Sequence, residues 1–339
     1  MPIRLKQLHA VLGKTPNPPD EGFLMKSTHP LTLVALALIG MCLQTPAAAQ
    51  TSPIWSEEKV PNYLPHMTVP EVRDLLTRTD MVIIPVTALE QHGLHLPIGT
   101  DYYSGIERAK LIAARTDVLV APILLPGQSP YHMGFEGTIS LSSQTVQQVI
   151  VEAAESLIRH GFKRFLILNS HGGNQATTTF IVDRINHETA GIAVNLGSVA
   201  APFQDRSRLA DIQDSELFDR HGGVGETSRG LYLMPDLVDL EAAVTAELTL
   251  PTHMERMLPD VIAGDPTALT VFLAEGLKAE ETGKGTSADQ MSSTGVWSER
   301  DPKEATVEQG RLATEVFGDA AVRFIGRWKG LRPIQEKIE

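Results

Sequence analysis

Four short apolar runs constrain the fold of this chain more than any other feature. They lie at 81–87, 117–123, 164–169 and 192–198 and are rich in Val, Ile and Leu. None shows the polar alternation of a strand with one wet face, so each reads as a strand covered on both sides. Between them fall helix-like segments at 102–115, 142–160 and 174–188. Ser142 and Ser143 supply capping hydroxyls for the second segment, and Gly161 supplies its stop. Strand–helix alternation predicts a mainly parallel central sheet with right-handed crossovers. The expected class is α/β, in three α/β/α layers. Further helices are expected at 221–234 and, amphipathic, at 304–328. Residues 199–219 and 240–295 are less regular and read as insertions or loops. Gly283, Gly285 and the Ser/Thr/Asp-rich run 286–294 read as a mobile surface stretch.

The N-terminus reads as an export signal. From Met25, Lys26 gives the positive start, Leu31–Leu43 an apolar run, and Ala47-Ala48-Ala49 a small-residue cleavage site before Gln50. The apolar run is shorter than the roughly 20 residues a membrane-spanning helix needs. Residues 1–24 read as an upstream extension. Cys42 raises the alternative of a lipid anchor, but Met41 before it is bulkier than that processing favours. Cleavage after Ala49 would leave residues 50–339, with a Pro-rich irregular segment at 50–68 and a single α/β domain at 69–339. It would remove the only cysteine, and with it any disulfide, thiolate nucleophile or Cys-ligated metal. It would also remove four basic and two acidic residues, taking the net charge from −12 to −14. That balance argues against nucleic acid or an anionic membrane as partner. The expected location is periplasmic or secreted.

Polar residues gather just past two of the strand candidates and before a late helix. Glu90, His92, His95 and Asp101 follow the first run. Asn169-Ser170-His171-Gly172-Gly173-Asn174 closes the third. Asp219, His221 and Glu226 surround the glycines 222, 223 and 225. Open parallel sheets bind ligands at the carboxyl edge, where loops after successive strands converge. Glu, Asp and His are the donors that hold Zn²⁺, Mn²⁺ or Fe²⁺. A phosphate loop at Gly172-Gly173-Asn174 is the alternative for the second cluster, but it leaves His171 without a role. His66, His160, His187 and His253 read as surface or packed residues.

The stretch Ala88–Asp101, reading ALEQHGLHLPIGTD, resembles the signature of the creatininase (creatinine amidohydrolase) family. So do Gly137–Leu141, His160-Gly161-Phe162, Asn169–Asn174, His221–Ser228 and Gly295-Val296. The similarity spans roughly 65–330. It implies a creatininase-like α/β/α domain, a homo-oligomer that is often hexameric, and hydrolysis of a small amide C–N bond with divalent metal, two ions per chain. By motif position, Glu90 and His171 would hold one metal, His92 the second, and Asp101 would bridge both. His221 would shuttle a proton to the leaving nitrogen.

Two departures matter. The enzyme that names the family has a metal-binding Glu two residues after the position of His171; here that residue is Gly173. Glu226 is the expected replacement, as ligand or general base. That enzyme also encloses its flat substrate with tryptophans, but here Trp55, Trp297 and Trp328 all lie outside the metal motifs, Trp297 alone being placed to fold over the site. Tyr131, His132 and Phe135 are expected to line the pocket instead. His95, His132 and Asn174 are the expected substrate contacts, with loop hydrogen bonding the alternative for His95 and helix capping for Asn174. Creatinine is only one candidate substrate. The alternatives are a peptidase of the mycofactocin type, or a periplasmic binding protein with a degenerate metal site.

Overall fold

The structure, a computed structural model, describes residues 58–123, 126–209, 218–248, 252–263, 265–275 and 288–334. The expected extension, signal and first part of the irregular segment lie outside these residues.

Burial on both faces explains the unbroken apolar runs. In β1 (Met81–Val86) every residue is buried. Val82, Ile84 and Val86 join Phe165 and Ile167 of β3 (Arg164–Asn169) in one core cluster. Met81 and Ile83 join Leu166 and Leu168 in a second cluster on the opposite face. With β2 (Leu119–Val120) and β4 (Ile192–Asn195) they form a parallel sheet of order β2-β1-β3-β4. The first face is covered by α3 (Ser143–Arg159) and α4 (Gln175–Glu188), through Ile150, Ala154 and Ile181. The second is covered by α2 (Thr100–Ala113), through Ala109 and Ile112, and by the long C-terminal helix, through Phe317, Ala320 and Ile325. This is the expected three-layer α/β/α class. Truncating a fully buried residue such as Ile84 to Ala costs about 2–5 kcal/mol in a core of this kind.

Short helices fill the remaining segments. α1 (Val69–Leu75) precedes the sheet, and α5 (Leu196–Ala200) follows β4 directly. After α6 (Val224–Leu233) come α7 (Thr252–Glu255), α8 (Leu258–Ile262) and α9 (Pro266–Glu275). The C-terminal helix is α10 (Val307–Leu331), opened by a reciprocal Thr306–Gln309 capping box. It runs against α6 so closely that a Cβ on Gly310 would lie 1.9 Å from the Ser228 carbonyl oxygen. Among the described residues no helix is long and apolar enough to cross a membrane.

Three sequence expectations are corrected. The run 117–123 forms only a two-residue edge strand, because Asp117 turns the chain at φ 56° just before it. The run 192–198 ends as a strand at Asn195, whose side chain accepts from the Ser198 amide at 3.1 Å and caps α5. Residues 288–294 are not a mobile surface stretch: Ala288, Met291 and Ser292 are buried. Met291 packs with Phe218, Met254, Val261, Phe272 and Trp297 in a satellite core. The Ser292 hydroxyl meets its own hydrogen-bonding need on the Val296 carbonyl at 2.6 Å, so a polar composition is buried at little cost. Gly283 and Gly285 lie outside the described residues.

Candidate metal centre

β1 and β3 pair through to Val86↔Asn169, so the loops that leave them start side by side at the carboxyl edge. The first loop carries Glu90 and His92 and runs into α2, whose first turn holds Asp101. A carboxylate is favoured there by the unpaired amides of the helix start. The second loop presents His171. From the far side, the turn before α6 brings His221, and the first turn of α6 brings Glu226.

These side chains converge. His171 Nδ1 lies 3.0 Å from Glu90 Oε1 and 3.2 Å from Asp101 Oδ2. His92 Nε2 lies 3.7 Å from Asp101 Oδ1 and 3.6 Å from Glu226 Oε2. His221 Nδ1 lies 3.7 Å from Glu90 Oε1 and 4.0 Å from Glu226 Oε2. Two donor sets, Glu90–Asp101–His171 and His92–His221–Glu226, each offer ligand atoms within 4.8 Å of one another. Glu90 is fully buried, yet neither carboxylate oxygen has a hydrogen bond; nor do His92 Nε2 and Asp101 Oδ2. Burying unpaired charge costs several kcal/mol.

Hydrogen bonds at the backs of the rings fix what faces inward. His171 Nε2 donates to the Gln128 carbonyl (3.0 Å), His92 Nδ1 to the Glu90 carbonyl (3.1 Å) and His221 Nε2 to the Gln91 carbonyl (2.6 Å). A neutral ring that donates from one nitrogen presents a lone pair from the other, as metal ligation requires. Three lone pairs and three carboxylates thus face one another, and divalent cations fit that donor set. Without a cation the site must hold protons instead. Burial disfavours charge on His92, but Asp101, Glu226 and Glu90 outweigh it and hold the ring up at about 9. Burial likewise opposes charge on His171, and Glu90 and Asp101 raise it well above the usual imidazole range. Asp101 responds in reverse: burial would raise its pKa, but His92 and His171 hold it far below the usual carboxylate range.

His132 is brought to the same place and behaves differently. Its Nε2 lies 3.5 Å from Glu90 Oε1, and its ring stacks on His221 with centroids 4.1 Å apart. It shares a possible donor set with Glu90 and His221. Its Nδ1, however, lies 2.8 Å from the Gln91 amide nitrogen. That amide cannot flip, because its nitrogen also donates to the Gly295 carbonyl (3.0 Å) and its oxygen accepts from the Gly93 amide (3.0 Å). Burial and the neighbouring His221, His92 and His171 keep the His132 ring neutral. Its one proton therefore sits on Nε2, aimed at Glu90, which suits a hydrogen-bond donor and not a metal ligand.

The structure places the other expected contacts elsewhere. His95 Nε2 meets the Thr227 hydroxyl at 2.8 Å, on the side of α6. Asn174 spends its amide on the backbone, accepting from Gln128 N (3.0 Å) and donating to Thr87 O (2.8 Å). It makes no cap bond to α4. It holds in place the carbonyl that orients His171. Trp297 packs against Phe272 in the satellite core and does not close over the site. The Tyr131 ring lies 4.5 Å from His132 and 6.3 Å from His171, centroid to centroid. A Cβ on Gly173 would lie 2.3 Å from His171 Nε2 and 2.6 Å from Gln128 O. Here glycine makes room for the bond that orients His171, and a side chain there would break it. Gln91, whose amide fixes the His132 proton, is not among the candidate residues; the signal for it is an amide side chain between two candidate ligands within the stretch Ala88–Asp101.

A family model described as Creatininase, creatinine amidohydrolase, matches residues 65–325. The chain belongs to the creatininase family. It is 30% identical over 223 residues, 61% of this chain and 83% of the relative, to the mycofactocin precursor peptide peptidase of Mycolicibacterium smegmatis. It is 34% identical over 182 residues, 48% and 68% of the two chains, to the creatinine amidohydrolase of Pseudomonas putida. A 3-dehydro-scyllo-inosose hydrolase of Thermotoga maritima is 29% identical over 193 residues, 55% and 60% of the two chains. Among solved structures, a mutant creatininase superposes with TM-score 0.61 at 23% identity, covering 79% of this chain and 98% of the other. A manganese form of creatininase gives TM-score 0.55 at 23% identity, covering 80% and 99%. These structures share the creatininase fold with the chain.

Proposed function

We propose that this creatininase-family protein is a metal-dependent amidohydrolase whose centre is formed by Glu90, His92, Asp101, His171 and Glu226. The enzyme is a hydrolase acting on carbon–nitrogen bonds, and its substrate is a small amide, cyclic or formyl. The supporting observation is the buried Glu90 carboxylate, free of hydrogen bonds and faced by ring nitrogens whose outer atoms are tied to backbone carbonyls. Zn²⁺ and Mn²⁺ suit the donor set: Glu90, His171 and Asp101 would hold one ion, and His92 and Glu226 a second. When bound, a divalent cation supplies Lewis acidity and activates water near neutral pH.

The chain's own groups handle the proton. Glu226 is the carboxylate of the centre with outward access, its side chain 23% exposed, and accepts the proton of the attacking water. His221 is kept neutral, its pKa lowered by burial and by His92. Its Nδ1 carries that proton to the leaving nitrogen while the Gln91 carbonyl holds the ring. The Nε2–H of His132, 3.5 Å from Glu90 Oε1, donates to the substrate carbonyl oxygen as charge develops there.

Elemental mass spectrometry on protein expressed from Met25, followed by a screen of cyclic amides and formamides, tests this reading. About two ions per chain and amine release are the expected outcome. No ion after supplying Zn²⁺ or Mn²⁺, with tight binding of one ligand and no turnover, would make it a binding protein instead. Similarity to mycofactocin precursor peptide peptidases favours one second reading, a short-peptide peptidase; cleavage of peptides in the same screen would select it. Residues 25–49 support export to the periplasm, and the family resemblance supports a homo-oligomer, hexameric in form. Cell fractionation and light scattering test these.

A further inference from the structure

A cavity of about 130 Å³ lies against the carboxylates of the centre, between α2, α6 and α10. Its wall includes Asp101, Ser104, Arg108, Ser170, Glu226 and Arg229. Arg108 is the odd member. Its guanidinium stacks on Phe317, 4.1 Å from the ring centroid. Its Nε is buried with no hydrogen-bond partner, and no carboxylate among the described residues pairs with it. A buried donor left without a partner is costly. Burial and the nearby Arg229 make its charge harder to hold, bringing its pKa down to about 10. Arg229, by contrast, is paired with Glu226 Oε1 at 3.5 Å. The cavity is left with one uncompensated positive charge and a fork of N–H groups suited to an oxyanion.

We infer that this cavity receives a carboxylate carried by the substrate, with Arg108 as its counter-ion. The inference rests on the amidohydrolase reading and narrows it to amides with a nearby carboxylate, such as N-acylated amino acids. The position supports this. Asp101 and Glu226 form both the wall of the cavity and part of the centre, so a short spacer joins an amide at the centre to an anion in the cavity. One free guanidinium matches the single charge of a carboxylate better than the double charge of a phosphoryl group. The flat Phe317 face holds the guanidinium plane, as two-pronged recognition of a planar anion needs.

Binding, not turnover, tests this, so failure of the hydrolase reading stays separate. Calorimetry on the zinc-loaded protein compares N-formylglycine with N-formylglycinamide. The acid should bind at least about tenfold more tightly, a difference of about 1.4 kcal/mol. In Arg108→Gln the ratio should fall to near one at unchanged zinc content. Ser104→Asp, which places a carboxylate of the chain's own in the cavity, should abolish the preference as well and covers the case that Arg108→Gln misfolds. A ratio near one in the unaltered protein would overturn the inference. So would a preference that survives both substitutions, since the acid would then be binding at the metal. Tighter binding of N-formylaminomethylphosphonate would overturn the choice of a carboxylate.

Discussion

The two halves of the candidate centre are held in different ways. Glu90, Asp101 and His171 form the inner half, all 5% exposed or less. Their loops spring from the paired strand ends Val86 and Asn169 and from the first turn of α2, so the sheet itself sets their spacing. His92 and Glu226 supply the outer half, with the proton carrier His221 beside them; the side chains of His221 and Glu226 are 15% and 23% exposed. His221 and Glu226 hang from a turn that is tied to residues 297–299 by the bridge Asp219↔Ser298 and by backbone hydrogen bonds such as Trp297 N to His221 O (2.8 Å). Asp219 holds that turn together. Its carboxylate accepts from Val224 N (2.8 Å), Gly225 N (3.1 Å) and the Ser298 hydroxyl (2.9 Å), capping the helix that carries Glu226. A ligand set pinned by a sheet keeps its geometry without its ion, whereas one pinned by a capped turn depends on the cap. The inner half should therefore bind the tighter ion.

The largest effect should come from Asp101→Ala. Asp101 faces His171 in the inner half and His92 in the outer, so its loss should lower metal affinity in each by at least about 100-fold. Metal analysis should then find the protein nearly empty and inactive; unchanged metal content would remove Asp101 as a bridge. Glu226→Gln should break only the outer half, leaving about one ion per chain. Two ions retained with activity lost would make Glu226 a base and not a ligand. Asp219→Ala sharpens the contrast further, since it touches no donor atom. It should weaken the outer ion by about 10–100-fold and cost about 1 kcal/mol of stability for the lost cap, with the inner ion unmoved. Equal weakening of both ions would show that the halves are one rigid unit.

The inner half is also the more legible in the amino-acid sequence, for the same physical reason. Unbroken apolar runs announce buried strands, and polar residues just past their ends fall at the sheet's carboxyl edge. That pattern alone brings Glu90, Asp101 and His171 together. The helix expected at 221–234 begins later, at Val224, because Gly222 (φ 64°) and Gly223 shape its approach. The role of Asp219 as a cap depends on a contact with Ser298, distant in the chain, that no local pattern signals. His132 reads in the sequence as a pocket residue, and its donor role follows only from a ring nitrogen held by the Gln91 amide. The satellite core around Phe218 and Trp297 is hidden because Ser- and Thr-rich segments usually mark surface, and here they bond to their own turns. Asn174 and His95 carry polar atoms in suggestive places, but the neighbouring backbone or Thr227 claims most of them.

The smallest expected effect concerns the two halves without metal, where protons must replace the ions. His92 is held up at about 9 and His171 also above the imidazole norm of 6.5. A raised folded value contributes stability in full below 6.5, and that contribution is lost as the pH climbs through about 9. His95 is lowered to about 4, by burial first and then by His92, so its contribution is present above 6.5 and lost as the pH falls through about 4. The chelated protein should therefore be most stable near about pH 6.5 and should melt at lower temperature at about pH 9.5. With ions bound, the inward nitrogens of His92 and His171 would be ligands with no proton to lose, so the alkaline decline should disappear, while each binding event releases protons. Calorimetric melting at both pH values, with and without chelator, reads the difference. An alkaline decline of equal size in loaded and chelated protein would place the titrating groups outside the centre and weaken the case that its lone pairs await a cation.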